Sequence, residues 1–182
     1  MKMNLPNKLT ILRVCMIPFF VFFLLFQDIQ YNNYIALIIF CIACITDALD
    51  GYLARKNNLI SNFGKFMDPL ADKLLVCAAL ICFVQLNLIS AWIVIIIISR
   101  EFIISGFRLI ASDNGVVIAA SIWGKFKTIA QMIMSILLIA NFDNSVINVL
   151  EITFVYLSLV LTVISLIDYL VKNRKVLHEG GK

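Results

Sequence analysis

Six long apolar runs, separated by short polar segments, make up most of this chain. Runs of this kind suit helices that cross a bilayer, which need about 20 predominantly apolar residues. The pattern predicts an all-α integral membrane protein with six transmembrane helices, at residues 10–26, 34–54, 67–84, 90–110, 126–140 and 146–171. A short amphipathic stretch at residues 3–12 precedes them, and it is predicted to form a helix on the membrane surface.

The composition agrees with this pattern. Of the 182 residues, 62% are hydrophobic and only 14% are charged. These proportions lie far outside the range of soluble globular proteins. The chain contains no internal repeat, no low-complexity segment and no separate soluble region, so residues 1–182 are predicted to form a single membrane domain.

The basic residues predict the orientation of the helices. The loops predicted on one side, at residues 28–33, 85–88 and 141–145, contain neither Lys nor Arg. The positive-inside rule therefore places both termini in the cytoplasm. The net charge of +4 is a signal of topology, because no basic run is interleaved with aromatic residues as nucleic-acid binding would require. The basic residues on the predicted cytoplasmic side are Lys2, Lys8, Arg55, Lys56, Lys65, Lys125, Lys127, Lys172, Arg174, Lys175 and Lys182.

Four acidic residues lie at the predicted cytoplasmic ends of helices two and three: Asp47, Asp50, Asp68 and Asp72. An ionised carboxylate costs several kcal/mol in or near hydrocarbon, so such residues usually have a function. On a helix, residues spaced i,i+3 or i,i+4 share a face, so each pair projects from one side. Two such faces turned toward each other would form an oxygen-rich cage, which predicts a divalent cation, most naturally Mg²⁺ or Mn²⁺.

Small residues accompany these acids. Gly51, Ala54 and Gly64 carry almost no side chain, and glycine permits close approach of a backbone or a ligand. Carboxylates can hold a cation, and the small residues beside them leave space for a ligand. This combination suits a metal-bound polyphosphate.

Structural roles are the alternative for each acid taken alone. Asp68 followed by Pro69 fits a helix N-cap with proline at the first helical position, although this leaves Asp72 unexplained. Asp47 and Asp50 could be ion-pair partners of neighbouring basic residues near the helix end. The four acids at this spacing together favour a functional site.

The eight signature positions follow the pattern D-x2-D-G-x2-A-R-x8-G-x3-D-x3-D without a substitution. This pattern resembles the signature of the CDP-alcohol phosphatidyltransferase family. The resemblance implies the CDP-alcohol phosphotransferase fold, with six transmembrane helices and a homodimeric assembly. It also implies an enzyme that moves a phosphatidyl or related group from a CDP-linked lipid to an alcohol and releases CMP.

Three further blocks, at residues 4–13, 99–108 and 124–131, resemble those of bacterial members that use glycerol 3-phosphate as the acceptor. This resemblance implies transfer from CDP-diacylglycerol to sn-glycerol 3-phosphate, which gives phosphatidylglycerol phosphate. It also implies a multi-pass protein of the bacterial cytoplasmic membrane, surrounded by membrane lipids, with its active site on the cytoplasmic side.

Basic residues within these blocks predict a site for the phosphate of glycerol 3-phosphate. A buried arginine such as Arg100 needs an anion, and Arg108, Lys125 and Lys127 are predicted to converge with it. Arginine would bind the phosphate through forked hydrogen bonds and lysine as a point charge. Alternatively, Arg100 pairs with its neighbour Glu101, and the two lysines only follow the positive-inside rule.

The resemblance assigns roles to the remaining signature residues. Asp72 would be the general base on the acceptor hydroxyl. One or two Mg²⁺ or Mn²⁺ ions would be held by Asp47, Asp50 and Asp68, with Asp72 completing a second site. CDP-diacylglycerol would contact Gly51, Ala54, Arg55, Ser61, Gly64, Asn7 and Thr10.

Other functions stay open at this point. Within the family, the acceptor could be serine, inositol phosphate or the phosphatidylglycerol used in cardiolipin synthesis. A membrane prenyltransferase also binds metal-diphosphate through Asp-rich helices, but it needs two Asp-rich motifs in separate halves. An ion transporter with intramembrane carboxylates would not need the small residues at fixed offsets.

Overall fold

The computed structural model describes residues 5–26, 28–56, 62–113, 118, 121–142 and 144–174, except for the side chains of residues 5, 6, 48–56, 62–69, 72, 112 and 113. Within these ranges the chain forms six α-helices and no strand, which confirms the all-α prediction. The helices are α1 (Leu5–Leu25), α2 (Asn32–Lys56), α3 (Asn62–Gln85), α4 (Ala91–Asp113), α5 (Ile122–Ala140) and α6 (Ser145–Lys172).

Three helices begin several residues before the predicted starts. The reason is visible at α5, where the Ser121 hydroxyl accepts a hydrogen bond from the Gly124 amide at 3.1 Å and so caps the first turn. At the N-terminus, α1 is continuous from Leu5 to Leu25. The predicted surface helix therefore does not form an element of its own, and most of that stretch makes up the first turns of α1.

The surfaces of the helices identify a membrane protein. Within the described ranges, three helical segments are long and apolar enough to cross a bilayer: Asn7–Leu25, Ile122–Ala140 and Ser145–Lys172. Large apolar side chains also point outward, including Phe19 at 62% exposure and Leu109 at 74%. Soluble proteins rarely expose apolar surface on this scale, so these faces suit contact with lipid.

The chain divides into two compact units. The first consists of Met1–Leu88 with Ile139–Asn141, and in it α1 packs against both α2 and α3. The rings of Phe20 and Phe40 meet in its core, with centroids 5.6 Å apart. Buried alanines on α2 and α3, such as Ala43 and Ala79, allow the close helix contact that is typical of membrane bundles.

The second unit consists of Ile89–Leu138 with Phe142–Lys182, and in it α4 packs against α6. The buried face of α6 is largely polar, and its residues recur with helical periodicity: Val155, Ser158, Thr162, Ser165 and Tyr169. Thr162 and Ser165 donate hydrogen bonds to carbonyls one turn earlier in the same helix. These bonds satisfy the hydroxyl donors of Thr162 and Ser165, so these two small polar residues can be buried between helices.

Candidate active site

The acidic signature lies on two helices of the first unit. Asp47 and Asp50 belong to the last turns of α2, whereas Asp68 and Asp72 belong to the first half of α3. The helical backbone confirms that each pair is placed on one face of its helix. Of the four acids, only the side chain of Asp47 is among those described, so the convergence of the four carboxylates stays a prediction.

The remaining signature residues and Ser61 also lie outside the described residues or have side chains that the structure does not describe. Ser61 lies outside the described residues. The side chains of Ala54 and Arg55 lie outside them too, although their backbone belongs to α2. Gly51 and Gly64 lie on the helical backbone of α2 and α3 respectively, with surroundings that the structure does not describe. Their predicted contacts with CDP-diacylglycerol stay predictions.

An ion pair connects α1 to the first signature acid. The Arg13 Nη1 atom lies 2.5 Å from Oδ1 of Asp47. The Arg13 side chain is fully buried, whereas the Asp47 side chain is 40% exposed. A buried guanidinium needs a counter-charge, so Arg13 holds one side of the Asp47 carboxylate while the other side remains accessible.

Asn7 and Thr10 share the buried face of α1 with Arg13. The three residues are spaced i, i+3 and i+6, and all three are buried. They extend a polar stripe from the N-terminal end of α1 toward the Asp47 carboxylate. This placement is compatible with the predicted role of Asn7 and Thr10 beside the CDP-lipid, a role that stays a prediction.

A second cluster of charges lies within the second unit. The Arg100 Nη1 atom donates a 2.9 Å hydrogen bond to Oε1 of Glu101, and the Lys127 Nζ atom donates to the same oxygen. The Arg100 Nε atom donates to the Ser165 hydroxyl at 3.2 Å. Side chains from α4, α5 and α6 thus form one buried polar network, which we call the Arg100–Glu101–Lys127 cluster.

The first turn of α5 contacts this cluster through Gly124. A methyl group placed on Gly124 would lie 3.4 Å from Nη2 of Arg100. This is an ordinary contact distance, so the first turn of α5 lies directly beside the guanidinium.

The remaining two predicted phosphate ligands lie on exposed faces. Lys125 and Lys127 are two positions apart and so point to nearly opposite sides of α5, which leaves Lys127 buried and Lys125 exposed. Arg108 is exposed, and its guanidinium carbon lies 5.8 Å from the centre of the Tyr169 ring. The structure brings together Arg100 and Lys127 from the predicted set, and it places the alternative partner, Glu101, between them.

The comparison with protein families identifies the chain. The model of the family described as CDP-alcohol phosphatidyltransferase matches residues 3–164. The chain belongs to this family.

Curated relatives cover nearly the whole length. A protein from Bacillus subtilis (strain 168), named CDP-diacylglycerol–glycerol-3-phosphate 3-phosphatidyltransferase, is 44% identical over 98% of this chain and 99% of its own length. A protein with the same name from Haemophilus influenzae (strain Rd) is 44% identical over 93% of each chain. Another, from Escherichia coli (strain K12), is 37% identical over 93% of this chain and 94% of its own length.

Three residues of this CDP-alcohol phosphatidyltransferase were not predicted as part of the site. Arg13 carries the same signal as Arg100, a cation inside an apolar run, and a second signal in its spacing from Asn7 and Thr10. Glu101 was considered only as an alternative partner. Ser165 gives a weaker signal, because small polar residues recur along α6 in many helices that pack tightly.

Proposed function

We propose that this chain transfers the phosphatidyl group of CDP-diacylglycerol to sn-glycerol 3-phosphate, which gives phosphatidylglycerol phosphate and CMP. The single observation that carries the proposal is the complete acidic signature, in a chain that aligns almost end to end with relatives named for this reaction. The Arg100–Glu101–Lys127 cluster supports the choice of acceptor, because buried cations suit a phosphate that serine or a neutral alcohol would lack.

In the proposed reaction, the acceptor hydroxyl attacks the phosphorus atom that is bonded to diacylglycerol. A new phosphorus–oxygen bond forms there as the bond to the CMP oxygen breaks. Asp72 accepts the hydroxyl proton, which requires an approach of about 3 Å. The small positions at Gly51, Ala54 and Gly64 leave space for the diphosphate, and Arg55 and Ser61 contribute polar contacts to the CDP group.

The acidic residues fit one or two divalent cations. Asp47, the one member with a described side chain, presents a carboxylate that is held on one side by Arg13 and is partly exposed. Such oxygen donors match the ligand preference of Mg²⁺ and Mn²⁺, and Asp50, Asp68 and Asp72 would complete the set. When bound, the cation would neutralise charge that develops on the CMP leaving group.

The proposed acceptor site is centred on Arg100 and Lys127. Arg100 supplies a planar array of donors that matches the geometry of phosphate, and Lys127 supplies a compact positive charge. Arg108 and Lys125 are exposed, and we assign to them the attraction of the anionic acceptor toward the site.

We further propose that all six helices cross the bacterial cytoplasmic membrane and that both termini lie in the cytoplasm. The distribution of Lys and Arg between the loops supports this orientation. The signature at the ends of α2 and α3 would then meet the lipid substrate and the soluble acceptor at the cytoplasmic surface. A homodimer is the assembly proposed for the protein in the membrane.

A panel of acceptors tests the function directly. With purified protein, CDP-diacylglycerol and Mg²⁺, we expect CMP release with sn-glycerol 3-phosphate and only background release with serine, inositol phosphate or phosphatidylglycerol. The buried cations account for the expected failure of serine, which carries no phosphate. The names of the relatives favour glycerol 3-phosphate over inositol phosphate and phosphatidylglycerol. Release of CMP with another acceptor at a higher kcat/KM than with glycerol 3-phosphate would overturn the assignment.

Substitution of Arg100 tests the acceptor site. In Arg100→Ala, we expect KM for glycerol 3-phosphate to rise about 100-fold or more, because a buried hydrogen-bonded charge is lost. KM for CDP-diacylglycerol should change much less, since the lipid binds at the acidic signature. Arg174→Ala, an exposed arginine beyond the end of α6, is the matched control and should retain wild-type constants. An equal rise in both KM values would argue against a phosphate site at Arg100.

A further inference from the structure

Two buried cations share a single carboxylate oxygen in the second unit. Both Arg100 and Lys127 donate to Oε1 of Glu101. Arg100 is 8% exposed and Lys127 is 3% exposed, whereas the Glu101 side chain is 19% exposed. Glu101 is the anion by which these cations are held side by side.

The three charged groups of the cluster are unequal in sign. Two positive groups and one negative group sum to one net positive charge. Without the carboxylate, two like charges would be buried next to each other, and each would turn toward a different acceptor. With the carboxylate, both cations remain oriented toward one oxygen, and a guanidinium beside an ammonium is a pair that suits phosphate.

Neighbouring groups keep the arginine in this orientation. The Ser165 hydroxyl donates its own hydrogen to the Thr162 carbonyl at 2.9 Å, so its lone pairs are directed to other donors. It accepts the hydrogen bond from Arg100 Nε, while Glu101 accepts from Nη1. Two edges of the guanidinium are thus fixed by α4 and α6 before any substrate binds.

We propose that Glu101 is a positioning residue for the acceptor phosphate, which acts by holding Arg100 and Lys127 in a phosphate-binding arrangement. This inference rests on the proposed function, since it assumes that these two cations receive the phosphate of glycerol 3-phosphate. Glu101 itself does not contact the acceptor in this scheme, because an anion beside the phosphate would repel it.

The test is the Glu101→Gln variant, which keeps the size of the side chain and removes its charge. We expect KM for glycerol 3-phosphate to rise about 10- to 100-fold, by analogy with the loss of a group that orients a metal ligand. KM for CDP-diacylglycerol should stay within about threefold of wild type. The matched control is Glu151→Gln, which makes the same chemical change at a partly exposed position of α6. This control should leave both KM values unaltered.

A double variant separates positioning from a general structural role. Because Glu101 acts partly through Lys127, Glu101→Gln combined with Lys127→Met should raise KM for the acceptor by less than the product of the two single effects. Additive effects would assign Glu101 a structural role and overturn the proposal. Glu101→Asp keeps the charge on a shorter side chain, and it should raise KM for the acceptor less than Glu101→Gln does. It is the variant to measure if Glu101→Gln does not fold.

The outcomes distinguish this inference from the proposed function. Wild-type protein that releases no CMP with glycerol 3-phosphate would contradict the function itself. Active wild-type protein with an unchanged KM in Glu101→Gln would contradict only the positioning role. A lowered KM in that variant would also contradict it, because Glu101 would then compete with the phosphate for the two cations.

Discussion

Replacing Asp72 with asparagine is expected to lower kcat about 1,000-fold, the range in which general bases contribute to catalysis. Asparagine has nearly the same size as aspartate but cannot accept the proton of the acceptor hydroxyl. Three of the four signature acids remain in this variant, so metal-dependent binding of CDP-diacylglycerol should be partly retained. Rates of CMP release at saturating acceptor, together with binding of the CDP-lipid to detergent-solubilised protein, measure the two effects separately.

The control for this variant is Asp28→Asn, which makes the same change in the exposed segment between α1 and α2. It should retain wild-type kcat, and so it accounts for any general effect of removing a carboxylate. Full activity of Asp72→Asn would remove Asp72 from the role of base. A loss of lipid binding as large as the loss of kcat would instead make Asp72 mainly a ligand of the cation.

Local pattern was sufficient to predict the helices of this protein. The long apolar runs coincide with α1 to α6 because the polar segments between them are short and favour turns over helix. The predicted helix starts are wrong where a helix extends into polar sequence. At α5 the signal was present in Ser121, a typical N-cap residue, but the first turn after it contains a glycine and a lysine that resemble a loop.

The sequence predicts the chemistry of the site from residue types, whereas the contacts of those residues depend on helix packing. The helical period alone separates Lys125 from Lys127, because residues two apart cannot lie on the same face. The pairing of Arg13 with Asp47 could not be derived in this way, since it depends on how α1 packs against α2. The pairing of Arg100 with Glu101 is the alternative that the sequence leaves open, and the structure shows it. Adjacent residues do not face each other on a helix, but the long arginine side chain reaches the carboxylate.

Removal of divalent cations is expected to abolish the activity. Treatment with EDTA should reduce CMP release to background, and added Mg²⁺ or Mn²⁺ should restore it, because carboxylate oxygens are the ligands that these ions prefer. The same ions should raise the Tm of the detergent-solubilised protein, since a ligand that binds only the folded state stabilises it by about 2.7 kcal/mol at 100 times its Kd. The four carboxylates, brought together as proposed, would repel one another, and Arg13 offers a counter-charge to Asp47.

The stabilisation must be distinguished from simple screening of charge. Screening depends on ionic strength, so NaCl at the ionic strength of the Mg²⁺ solution should give neither the rise in Tm nor the recovery of activity. In Asp50→Asn the concentration of Mg²⁺ needed for both effects should increase, because one ligand of the cage is lost. If NaCl reproduced the rise in Tm, or if EDTA left CMP release intact, then the four acids would not form a cation site, and the chemistry assigned to α2 and α3 would have to be rejected.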